Sequence, residues 1–123
     1  MSNIKNVLTE LEENQLWEMA NFRSKSTGLP MNVYISIGEV EGKKMKHGAR
    51  IKVSRSYANN FTPFDTFSIT ISNNPIIIGD VGNIYINDIN KLKEFISKNY
   101  DVLLAYWDGE YDTSDLIGNL RKV

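Results

Sequence analysis

Cysteine is absent from the 123 residues, and histidine occurs once, at His47. Without thiols there is no disulfide framework, no zinc–thiolate site and no cysteine nucleophile. One imidazole cannot build a multi-histidine metal site. Charge of one sign is also lacking. Lys and Arg number 14 against 15 Asp and Glu, a net charge of −1, so no global field draws the chain toward nucleic acid or a membrane. Apolar runs of transmembrane length are missing, and residues 1–20 carry no signal-peptide core. A cytoplasmic setting without membrane contact is the expectation. The sequence holds no Gly-x-Ser-x-Gly, no Walker loop and no His-Glu-x-x-His. Binding is therefore expected ahead of catalysis, with no catalytic residues and no cofactor.

What is present reads as one α+β domain spanning residues 1–123, a common domain size. Ile4, Val7, Leu8 and Leu11 recur at helical spacing, predicting an amphipathic helix over 3–20, with Ser2 as its cap. The stretch Phe22–Pro30 is rich in turn formers and reads as a loop. Three segments then alternate with period 2. Met31, Val33, Ile35 and Ile37 alternate with polar or small partners, as do Ile51 and Val53, and Phe67, Ile69 and Ile71. Such alternation predicts antiparallel strands with one face on a core and one bare polar face. Ile76–Ile78 and Ile84–Ile86, joined across Gly79–Gly82, read as a short hairpin or a broken strand.

Helical spacing returns at Ile89, Leu92, Phe95 and Ile96, with Asp88 as the expected cap. Leu103, Leu104 and Trp107 continue the apolar face past a break expected at Asn99. Asp108-Gly109 ends that helix. A last short helix is expected over Thr113–Leu120, capped by Asp112 or Thr113. The predicted fold is an antiparallel sheet of four to five strands, with N- and C-terminal helices covering one face.

The sharpest local feature is a charge asymmetry. Residues 43–55 hold Lys43, Lys44, Lys46, Arg50, Lys52 and Arg55 with His47 among them, and no acid. Lys43–Gly48 reads as a hairpin loop, and Arg50, Lys52 and Ser54 share a strand face. Tyr34, Ser68 or Thr70 join that face if the strands are neighbours. Arg and Lys offer phosphates charge-assisted hydrogen bonds, and Tyr can stack a base. The candidate ligand-binding set is Arg50, Lys52, His47, Lys44, Lys46 and Tyr34. The ligand class is an anionic small molecule or nucleotide. The competing reading is a solvated face whose edge lysines block aggregation.

A second stretch, with Asp101, Asp108, Glu110, Asp112 and Asp115, is acidic. Asp108, Glu110 and Asp112 imitate the start of a calcium loop, but Thr113 and Asn119 occupy the positions that need Gly and Glu. Helix capping explains these acids better. They could also meet the basic hairpin of a second subunit. Together with the loop aromatics Tyr57, Phe61 and Phe64, they support the rival reading of a protein-binding inhibitor or antitoxin-like module.

The segment Ile89–Trp107 (INKLKEFISKNYDVLLAYW) follows several short strands and a basic, His-bearing strand entry. It resembles small bacterial and phage proteins of the uncharacterised DUF4160-like type, which end with a helix closing on Leu-Leu-x-x-Trp. Only His47 answers to the His-rich entry of that pattern, and the prolines beside it are missing. The resemblance covers about the last two-thirds of the chain. It implies an accessory protein in a toxin–antitoxin or counter-defence setting, and it supplies no catalytic residues.

Overall fold

The computed structural model describes residues 20–40, 43–44, 48–57 and 65–123. Of the helix expected over residues 3–20, residues 3–19 lie outside the described residues. Ala20 belongs to a strand instead, β1 (Ala20–Phe22), where it pairs with Ile35. The stretch read as a loop contains one helical turn, α1 (Ser24–Thr27).

The period-2 segments fold as read. They form β2 (Met31–Ile35), β5 (Arg50–Tyr57) and β6 (Thr66–Thr70). With β1 and β7 (Ile77–Ile78) they build one antiparallel sheet in the order β1-β2-β5-β6-β7. A separate two-stranded ribbon, β3 (Glu39–Val40) and β4 (Lys43–Lys44), follows β2. Lys43 and Lys44 thus lie in a strand and not in a loop.

The hairpin expected between Ile76–Ile78 and Ile84–Ile86 does not form. β7 pairs with β6, through Ser68 with Ile78 and Ile69 with Ile77. Gly79 and Gly82 adopt positive φ values and turn the chain away from the sheet. Ile84 then drops into the core and Ile86 opens a helix.

Three helices complete the described fold: α2 (Ile86–Lys98), α3 (Tyr100–Trp107) and α4 (Thr113–Asn119). α2 buries the stripe read from the sequence, Ile89, Leu92, Phe95 and Ile96. α3 adds Val102, Leu103 and Tyr106, and α4 adds Leu116. These side chains share one apolar cluster with Val33, Ile35, Ile51, Val53, Phe67 and Ile69 from the sheet. The class is α+β, with a five-stranded antiparallel sheet and helices against one face. Asn99 separates α2 from α3, and Gly109, at φ +80°, follows the end of α3.

Asp88 is not the N-cap of α2. Tyr85 takes that position, and Asp88 sits in the first turn. There its Oδ2 accepts a hydrogen bond from the Tyr57 hydroxyl at 2.7 Å, while the same hydroxyl accepts from the Tyr85 amide at 2.9 Å. The end of β5 is thereby tied to the start of α2. Asp112 does cap α4, in a reciprocal capping box with Asp115.

The second sheet face is not bare along β2. Every residue of β2 is buried, and Ser36 beyond it is buried too. On β5 and β6 the polar positions stay partly exposed, as the alternation predicts, except Ser54, which is fully buried.

Candidate anion-binding face

Register settles which side chains share the polar face. Lys52 lies between Tyr34 on β2 and Ser68 on β6, each its direct cross-strand partner. Arg50 lies opposite Thr70. Arg50 and Lys52 are two residues apart on one strand, so both project from the same face. The face thus carries two cations beside a Ser–Thr row. The Thr70 hydroxyl is held by the Ile76 amide at 2.9 Å and contacts the Ser72 hydroxyl at 3.1 Å.

The basic residues of the segment separate into distinct groups. Arg55 is neutralised within the fold, since its Nη2 and Nε both lie 2.6 Å from Asp65 Oδ1. Lys44 lies in β4 opposite Glu39, in a sheet distinct from that of Arg50 and Lys52. Lys46 and His47 lie outside the described residues. Arg50 makes no ion pair among the described residues, and its Nε is buried without a hydrogen-bond partner. An orphaned guanidinium N–H beneath a surface is costly unless something accepts from it. A phosphate or carboxylate oxygen suits that role.

Tyr34 is only 2% exposed. It stands beside Lys52 as its cross-strand partner and does not offer its ring to solvent. Burial pushes its phenol above the ordinary tyrosine range. The folded state therefore holds this proton more tightly than the unfolded chain. The stability this contributes is complete below about pH 10, and it is lost as pH rises through the folded pKa. Denaturant midpoints measured from pH 9 to above pH 11 should fall more steeply for the native protein than for Tyr34→Phe. Parallel curves would show that ionisation of Tyr34 is not linked to unfolding.

The reading from sequence leaves Asn32 out. It shares the strand period of Tyr34, and that spacing is the signal for it. Asn32 is 4% exposed, and its Oδ1 has no hydrogen-bond partner among the described residues. The β2–β5 register shifts between Met31 and Val33, so β5 bulges beside Asn32. Ser54 and Ser56 lie on that bulge, their hydroxyls 3.3 Å apart.

The acidic stretch is largely committed to local structure. Asp112 and Asp115 serve the capping box. Asp101 binds Arg121 through both carboxylate oxygens, at 2.8 and 3.2 Å, and the guanidinium holds its carboxyl below the usual range. Among the described residues no three His, Cys, Asp or Glu side chains group as a metal site. Phe61 and Phe64 lie outside the described residues, and Tyr57 is bound to α2. No helix among the described residues is long and apolar enough to cross a membrane.

The class this geometry defines is an α+β domain with a cationic, hydroxyl-lined sheet face. No family model matches the chain, and neither a curated protein nor a solved structure matches it.

Proposed function

We propose that the protein is a non-enzymatic binding module that sequesters a phosphorylated small molecule, a nucleotide in the first instance, on the polar face of β5. The observation that carries this reading is Arg50. It shares a face with Lys52, pairs with no carboxylate among the described residues, and buries an Nε that has no hydrogen-bond partner among them. Capture needs no bond to break. Arg50 and Lys52 supply charge-assisted hydrogen bonds to phosphate oxygens, and the Ser68 hydroxyl stands in the row beside Lys52. On this reading Lys44, Lys46 and His47 of the same segment are further candidate contacts, and Tyr34 stands beside Lys52 as its cross-strand partner. A second copy could close over the face. Bacterial or phage counter-defence is the setting that the resemblance of Ile89–Trp107 suggests for such capture.

Titration calorimetry against inorganic phosphate, linear nucleotides and cyclic nucleotides tests it. At least one nucleotide should bind with a Kd below about 1 mM, and Arg50→Gln should weaken it about tenfold or more, since a charged hydrogen bond contributes roughly 1.5–3 kcal/mol. Absence of any nucleotide binding at millimolar concentration removes the proposal.

A further inference from the structure

Access to the polar face is uneven, and it decides which way a bound molecule extends. On β2 the side chains of that face, Asn32 and Tyr34, are buried, so nothing resting on Arg50 and Lys52 contacts them. On β5 and β6, Arg50, Lys52, Ser68 and Thr70 are partly exposed. At β7, the strand that closes the sheet on the far side from β2, Ile76 is 63% exposed and Ile78 39%. Register puts both isoleucines on the face of Arg50 and Lys52. Ile78 is the direct partner of Ser68, itself the partner of Lys52. Ile76 precedes Ile78 by two residues and is tied to Thr70, the partner of Arg50. Its carbonyl accepts from the Thr70 amide at 3.0 Å, and its amide donates to the Thr70 hydroxyl at 2.9 Å. Two rows thus cross the sheet, Lys52–Ser68–Ile78 and Arg50–Thr70–Ile76. Each runs from a cation through a hydroxyl to an exposed isoleucine over two strand spacings, roughly 10 Å.

Single surface isoleucines are ordinary. Two of them aligned behind two hydroxyls and two cations make an ordered gradient. We infer that Ile76 and Ile78 are the platform for the base of a nucleotide whose phosphate rests on Arg50 and Lys52 and whose sugar crosses Ser68 and Thr70. This rests on the binding reading above and extends it to the edge of the sheet. The order cation, hydroxyl, apolar surface matches the order phosphate, sugar, base. Such a platform reads the area of a ring and not the donor pattern of its edge, because apolar burial is non-directional. Purines, with the larger ring system, bind more tightly than pyrimidines, and adenine and guanine bind nearly alike.

The test is calorimetry with ribose 5-phosphate and with the four ribonucleoside 5′-monophosphates, on the native protein and on the double variant Ile76→Ser with Ile78→Thr. The native protein should bind AMP and GMP about tenfold tighter than ribose 5-phosphate, the gain from covering roughly 55 Å² of apolar surface, with CMP and UMP between. The variant should bring all four close to the ribose 5-phosphate value and leave that value unchanged. Its Tm should hold, since both side chains are exposed and the bonds to Thr70 come from the Ile76 backbone. Isoleucine methyl spectra of the native protein locate the base without any variant, and they decide alone if the variant unfolds. The ring current of bound AMP should shift the methyls of Ile76 and Ile78 and leave those of Ile86 and Ile117, exposed on the helices, in place. Equal native affinity for nucleotide and sugar phosphate overturns the inference. So does a base preference that survives in the folded variant, or a methyl shift confined to other isoleucines. Failure of the native protein to bind any of these probes sinks the phosphate reading instead, and this inference with it.

Discussion

Asn99→Ala is expected to lower the unfolding free energy by about 3 kcal/mol, read as a shift of the urea midpoint at constant slope. Asn99 is completely buried at the junction of α2 and α3. Its amide makes three hydrogen bonds. Nδ2 donates to the Phe95 carbonyl at 2.9 Å and to the Arg121 carbonyl at 2.8 Å, and Oδ1 accepts from the Arg121 amide at 2.7 Å. The first bond is a second one to a carbonyl that also accepts from the Asn99 backbone amide at 3.1 Å, in the last turn of a helix that ends at Lys98. The other two hold residue 121 as a neighbouring strand would, with both of its backbone groups engaged. Alanine removes all three and leaves the amide and carbonyl of Arg121 to find water, while the Phe95 carbonyl keeps its backbone bond. Asn99→Asp is the discriminating companion. It keeps the shape and the acceptor but loses both donated bonds and brings a carboxylate into a fully buried site. It should cost at least as much as alanine at neutral pH, and less as pH falls toward the carboxyl range, where the group is protonated. An aspartate as stable as asparagine at pH 7 would show that volume, not hydrogen bonding, is what the position requires.

The break at Asn99 is readable from sequence only through the residue type, since Asn competes with the helix backbone while Leu103, seven residues after Ile96, stays in phase with the stripe. The network that stabilises the break is not readable, because its partner lies 22 residues away. The same division runs through the whole fold. Period-2 alternation identifies β2, β5 and β6, since one face must be buried against helices. β1 is invisible for the opposite reason. Three residues are too few to show a period, and Ala20 also fits a helical repeat. The isoleucines around Gly79–Gly82 resemble two arms of a hairpin, yet composition cannot say which neighbour a strand will take. Pairing with β6 wins because it extends a sheet that already exists. At the site, the shared face of Arg50 and Lys52 follows from strand geometry alone. The loss of Arg55 to Asp65 and the burial of Tyr34 depend on long-range register, which local pattern does not encode.

Gly28→Ala is expected to be comparably damaging, at about 3 kcal/mol, and it acts on the same structure from the other side. Gly28 has φ +81°, and a β-carbon added there would sit 2.1 Å from the Val123 carbonyl oxygen. The obstacle is backbone, and it is held. The Val123 amide donates to the Thr27 carbonyl at 2.9 Å, and both Thr27 and Leu29 are fully buried. Residue 123 must therefore move and give up that bond. Gly109 separates the two components of the cost. Its φ is +80°, nearly the same, but a β-carbon there meets nothing within 4 Å. Gly109→Ala should cost only the conformational component, roughly 1–2 kcal/mol. The excess at Gly28 then measures the contact with Val123, and equal losses at the two positions would show that Val123 yields freely. Asn99 and Gly28 grip the segment 121–123 at its two ends. Once one grip is lost, part of what the other secures is already gone. The double variant should lose less than the sum of the single losses by more than about 0.5 kcal/mol, the limit for independent sites. Strict additivity would mean the two ends of the segment dock independently, in which case the bond between Lys98 Nζ and the Lys122 carbonyl, at 2.8 Å, becomes the contact holding its middle in place.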